Sequence, residues 1–122
     1  MGITNILLLA AAIATAETNG RNDLVGAAGE QGPLHITRAY LQDVNQHYGT
    51  RYSMWDMRDQ KKATDVLAKY CALYCTVKRL GREPTLEDYA RVHHGGPDGW
   101  RKPGTRAYWQ RVNAILRASC RP

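Results

Sequence analysis

Glu17 ends the apolar run Ile6 to Ala16 and stands just before the polar turn Thr18-Asn19-Gly20. A carboxylate at the C-terminal end of a helix meets the negative end of the macrodipole, so an acid there needs a compensating reason. Chemistry supplies one: a carboxyl buried against apolar neighbours has its pKa raised and can donate a proton near neutrality. A second reading is purely local, because Ala14-Thr15-Ala16 after a short apolar stretch is also what a signal peptidase cuts. No Lys or Arg precedes Arg21, so the basic start of an export signal is missing, and the expectation is a structural helix that positions Glu17. Two further acids, Asp23 and Glu30, follow in a Gly- and Ala-rich segment. His35, His93 and His94 are side chains whose charge changes near pH 7.

The elements that must hold these groups read as about five helices. Thr4 or Asn5 caps a first helix running to about Thr18, and Asn19-Gly20 ends it. Residues 21–33 lose periodicity and form a long loop, with room for a small β-hairpin. Thr37 caps a second helix carrying Tyr40, Leu41, Val44 and Tyr48 on one face, stopped by Gly49. Asp59 opens the longest helix, whose apolar stripe runs from Ala63 through Tyr70 and Val77 to Leu80 before Gly81. Thr85 and Asp88 form a capping box for a short helix to about His93, and Thr105 caps a last helix lined by Tyr108, Val112, Ile115, Leu116 and Ser119. The fold class is mainly α (α+β), a single domain over residues 1–122.

Composition narrows the function classes. The chain has 122 residues, with 17 Lys and Arg against 11 Asp and Glu, for a net charge of +6. That balance suits an acidic partner such as a bacterial wall polymer, and with no zinc finger, RNP motif or phosphate loop beside it nucleic acid is not expected. No apolar run approaches the ~20 residues needed to cross a bilayer. Three cysteines leave at least one unpaired within a monomer. Cys71 and Cys75, one helical turn apart, are spaced too widely for a disulfide and read as small buried residues; either can meet Cys120. C-x3-C without a second close pair is weak support for zinc.

Two segments, "AETNGRNDLVGAAGEQGPLHITRAYLQDV" and "DYARVHHGGPDGWRKPGTRAYWQRV", together resemble the invertebrate-type lysozymes, also called the destabilase family, and more loosely the lytic transglycosylases. The family pattern runs E-S-G, G-P-x-Q-I, C-A-x-x-C, Y-A-R-I-H-N-G-G-P and Y-W-x-x-V. It is met here in order by Glu17-Thr18-Asn19, Gly32 to Ile36, Cys71 to Cys75, Tyr89 to Pro97, and Tyr108-Trp109 with Val112. The resemblance implies a lysozyme-like fold and cleavage of the β-1,4 bond between N-acetylmuramic acid and N-acetylglucosamine. It makes Glu17 the general acid and places His35, Tyr89, His93, His94, Gly95 and Gly96 along the saccharide; Tyr52, Trp55 and Trp100 stay open between cleft and core.

The second carboxylate has no clean match. Glu30 is favoured for its nearness to the turn, Asp23 is the other choice, and with neither the enzyme releases an anhydro sugar as lytic transglycosylases do. His35 stands for the family's Gln and His94 for its Asn, which implies pH-sensitive activity. The family's many cysteines are missing, which points toward a bacterial or phage-like relative. Peptidoglycan or a chitooligosaccharide is the implied substrate, met at the cell wall by a monomer without metal or other cofactor. Two readings compete: a wall-binding homologue without activity, and an isopeptidase using Thr18, which lacks a base beside it.

Overall fold

The computed structural model describes residues 2–23, 25–26 and 29–119. Helix α1, Ile3–Thr18, is built from Ala, Leu and Ile and ends where Asn19 and Gly20 turn left-handed, at φ 53° and 77°. Its N-cap is Gly2, not Thr4 or Asn5. Ile6, Leu9, Ala10, Ala12, Ile13 and Ala14 are buried, while Leu7 and Leu8 face outward. The stretch that also matches an export-signal core is therefore a helix embedded in the protein's interior.

Helix α2, Arg38–Tyr48, begins at Thr37, whose hydroxyl accepts from the Tyr40 amide at 3.2 Å, and stops at Gly49. A 3-10 turn, Trp55–Arg58, leads to α3, Gln60–Tyr74, capped by the Asp59 carboxylate on the Lys62 amide. The expected single helix from Asp59 to Leu80 is broken. Cys75 leaves helical geometry and Thr76 starts a separate turn, α4, Val77–Leu80, by accepting from the Arg79 amide at 3.2 Å. The Thr76 hydroxyl offers the backbone a cap in competition with the helix ladder. Val77 is exposed as a result, while Leu80 stays buried.

Helix α5, Leu86–Gly95, opens with the expected Thr85–Asp88 capping box, and Arg82 adds two bonds to the Asp88 carboxylate at 2.7 and 2.8 Å. Two 3-10 turns, Gly99–Arg101 and Pro103–Thr105, precede α6, Arg106–Ser119. Tyr108, Val112 and Leu116 of α6 are buried, and Ser119 is exposed. Helices α1, α3, α5 and α6 pack on one another around Leu9, Ile13, Val66, Leu67, Val92 and Val112. Among the described residues, strand pairing amounts to two isolated antiparallel bridges, Val25 with Gln31 and Gln31 with Ile36. This is a mainly α architecture in which one small hairpin turn, Gly32 to His35, projects toward the end of α1.

Candidate active site

Glu17 sits in the last turn of α1 with its side chain 12% exposed, at the floor of a cleft of about 650 Å³. Glu30, His35, His93, His94 and Gly96 line the same cleft, with Tyr40, Asp43 and Tyr70 on the side of α2 and α3. His35 Nδ1 lies 3.1 Å from Glu17 Oε2 and 3.9 Å from Glu30 Oε2. His94 Nδ1 lies 3.7 Å from Glu17 Oε1. Both acids approach one imidazole nitrogen, so their nearest oxygens are within about 7 Å of each other, a span that admits the separation of retaining glycosidases and excludes most of the inverting range.

The turn that delivers His35 is tightly specified. Gln31 and Ile36 exchange backbone bonds at 3.0 and 3.1 Å, and the His35 amide returns to the Gly32 carbonyl at 3.1 Å. Gly32 has φ 80°, and a Cβ there would lie 1.8 Å from the Met57 carbonyl oxygen, so only glycine fits. The Thr18 hydroxyl, buried, reaches the Ala14 and Pro33 carbonyls, each at 3.1 Å, and joins the end of α1 to this turn. That engagement leaves Thr18 without the accessible, base-activated hydroxyl an isopeptidase nucleophile needs.

His93 is buried, with both ring nitrogens engaged inside the protein. The Leu34 carbonyl can only accept, so Nε2 donates to it at 2.9 Å, and Nδ1 accepts from the Tyr40 hydroxyl at 2.9 Å. The ring lines the cleft as a strut between α5, α2 and the turn. His94 stacks on Tyr108, centroids 4.0 Å apart and planes 9° apart. Tyr89 and Gly95 are not part of the cleft lining. Tyr89 packs on the core, and a Cβ on Gly95 would meet the Thr105 methyl at 2.6 Å, so that glycine serves helix packing. Asp23 is ion-paired with Arg21 at 2.9 Å, exposed, and outside the lining. Trp55 is 70% exposed, Tyr52 donates to Asp65 at 2.6 Å, and Trp100 packs against the core.

Burial is the largest influence on Glu17 and pushes its pKa up. The neighbouring His94, together with attraction to His93 and His35, outweighs it and holds the carboxyl below the ordinary value. The direction is opposite to the expectation from burial alone. Each imidazole's pull requires that ring to be charged, and burial pulls the His93 pKa down, so this ring is neutral near pH 7. Burial and the Glu17 carboxylate push the Tyr108 phenol up; its hydroxyl and Glu30 Oε1 are buried without a hydrogen-bond partner. Among the described residues, no three His, Cys, Asp or Glu side chains are arranged to hold a metal ion. Cys71 and Cys75 are buried free thiols; Cys120 lies outside the described residues.

Asp43 and Tyr108 were not legible as site residues. Asp43 lines the cleft and bonds the Tyr74 hydroxyl, while His47 Nδ1 lies 3.0 Å from its Oδ1. Its spacing of three from Tyr40 on α2 is the only sequence signal for its facing.

A helix-end glutamate under a cleft, met by a hairpin turn and the histidine pair of a second helix, defines a lysozyme-like domain. The chain is 56% identical over 82 residues to a lysozyme of Magallana gigas, covering 67% of this chain and 57% of that protein. It is 46% identical over 85 residues to Lysozyme 1 of Crassostrea virginica, covering 68% and 43%, and 35% identical over 91 residues to a lysozyme of Ostrea edulis, covering 73% and 60%. It matches a chain in the crystal structure of Aeromonas hydrophila PliI in complex with Meretrix lusoria lysozyme, with a TM-score of 0.75, 25% identity and 88% of both chains covered. No protein-family profile matches. The chain belongs to the invertebrate-type lysozyme family. It spans about half the length of the curated relatives it matches, and those relatives are bivalve proteins, not the bacterial or phage kin that its few cysteines suggested.

Proposed function

We propose that the chain is a lysozyme that cleaves the β-1,4 bond between N-acetylmuramic acid and N-acetylglucosamine in peptidoglycan, with Glu17 as general acid. The observation that carries this reading is the placement of Glu17, at a helix end, largely out of water, on the floor of a cleft. A poor alkoxide leaving group must receive a proton as its bond breaks, and a desolvated carboxyl facing the bound sugar supplies it. Glu30, approaching the same imidazole, is the second carboxylate; it stabilises or attacks the sugar carbon. Gly96 and His94 edge the saccharide path, and chitooligosaccharides fit the same chemistry. The protein acts outside the cell on the wall, as a monomer, and its charge of +6 raises encounter with the acidic polymer at low salt.

The test is to digest purified walls and weigh the released muropeptides. Hydrolysis gives products with reducing ends. Products lighter by one water would replace hydrolysis with the single-acid route, and a protein that pellets with intact walls would be a binder only.

A further inference from the structure

We propose that His35 shares one proton with Glu17 and loads the general acid: the proton waits on His35 Nδ1, passes to Glu17 Oε2, and from there reaches the leaving oxygen. The inference rests on the reading of Glu17 as the acid. The two atoms are 3.1 Å apart, the shortest approach of an imidazole to this carboxylate, and the next candidate, His94, stands at 3.7 Å. His35 adopts φ 53°, one of two non-glycine residues in left-handed backbone among those described, so the fold holds this ring in place against its local preference. The two residues before it are tied down: Pro33 to Thr18 of α1 and Leu34 to His93 of α5, which holds this turn against the helix that carries Glu17.

The other groups facing the pair cannot take this part. His93 has no free nitrogen. His94 is stacked on Tyr108 of α6, and the buried Tyr108 phenol holds its proton. Glu30 from the loop faces the same Nδ1 but at 3.9 Å, while Tyr40 and Asp43 of α2 line the cleft farther along. With the proton on Nδ1, Glu17 is a carboxylate and cannot donate. Transfer leaves a neutral imidazole and a carboxylic acid. As the C–O bond breaks, its electron pair stays on the leaving oxygen, which takes the Glu17 proton, and the pair is reloaded by the proton of the attacking water or from solvent through the 23% exposed His35 side chain.

The active enzyme is therefore the form in which the pair holds its one proton, and the alkaline limb of kcat/KM marks the loss of that shared proton, not of a lone carboxylic acid. The experiment measures that limb for wild type, His35→Gln and His35→Asn, the last keeping a residue tolerant of left-handed backbone. The limb is expected to move toward acid by about 1 pH unit or more, as when one of two groups coupled through a shared proton is removed. An unmoved limb or a loss of rate equal at every pH overturns the proposal, as does a limb that follows His94→Gln instead. Lysis persisting in Glu17→Gln would overturn the function itself; a dead Glu17→Gln with an unmoved His35 limb would overturn only the shared proton.

Discussion

At the scale of single residues, the two loop acids are separated by their partners. Glu30 approaches the imidazole that touches Glu17, and its Oε1 is buried without a partner. Asp23 is exposed and held by Arg21, whose guanidinium keeps the carboxyl below its ordinary value. Glu30→Gln is expected to lower wall lysis on the order of 10²-fold or more, and Asp23→Asn to leave it within a fewfold. Initial rates of turbidity loss decide; equal, wild-type rates for both would remove Glu30 from the chemistry.

His93 makes a second prediction at this scale. Its folded pKa is lowered, so the unfolded chain binds a proton that the folded one refuses, and stability falls as pH drops from the ordinary histidine value toward the lowered one. Asp88, lowered by Arg82 and Thr85 against an opposing effect of burial, adds a further loss at pH below the ordinary carboxylate value. The melting temperature is expected to decline between pH 7 and 5, and to decline less in His93→Gln, even though that variant is less stable overall. Parallel slopes in the two proteins would show that His93 is not the group responsible.

At the scale of elements, the turn from Gly32 to His35 is where backbone and chemistry meet. Gly32→Ala forces a Cβ into the Met57 carbonyl, whereas Gly49→Ala at φ 68° meets nothing within 4 Å. The first should cost about 2–4 kcal/mol and displace His35; the second carries only left-handed strain, about 1–2 kcal/mol. Denaturant unfolding and lytic rate together check this, and equal costs with equal activity would contradict it. The boundaries set by local chemistry were legible: Thr37, Asp59 and the Thr85–Asp88 box cap helices where their side chains say they should. The break at Cys75 was not, because the three- and four-residue apolar spacing continues through Tyr74, Val77 and Leu80 while the deciding contact is one Thr76 hydroxyl. His93 lines the cleft, but its bonds to Tyr40 and Leu34 were not legible because those partners lie far away in sequence. The direction of the Glu17 pKa was misjudged for the same reason: burial is visible in an apolar run, but three imidazoles arriving from a loop and from α5 are not.

At the scale of the whole molecule, α1 and α5 bring the acid and the histidine pair together, α6 backs them with Tyr108, and a hairpin turn supplies His35 from across the cleft. This arrangement makes one residue central. Glu17→Gln preserves shape and removes the proton, so the variant should keep the wild-type melting curve and clear a cell-wall suspension on the order of 10²- to 10⁴-fold more slowly. Clearance within a fewfold of wild type by a folded Glu17→Gln protein would contradict the account.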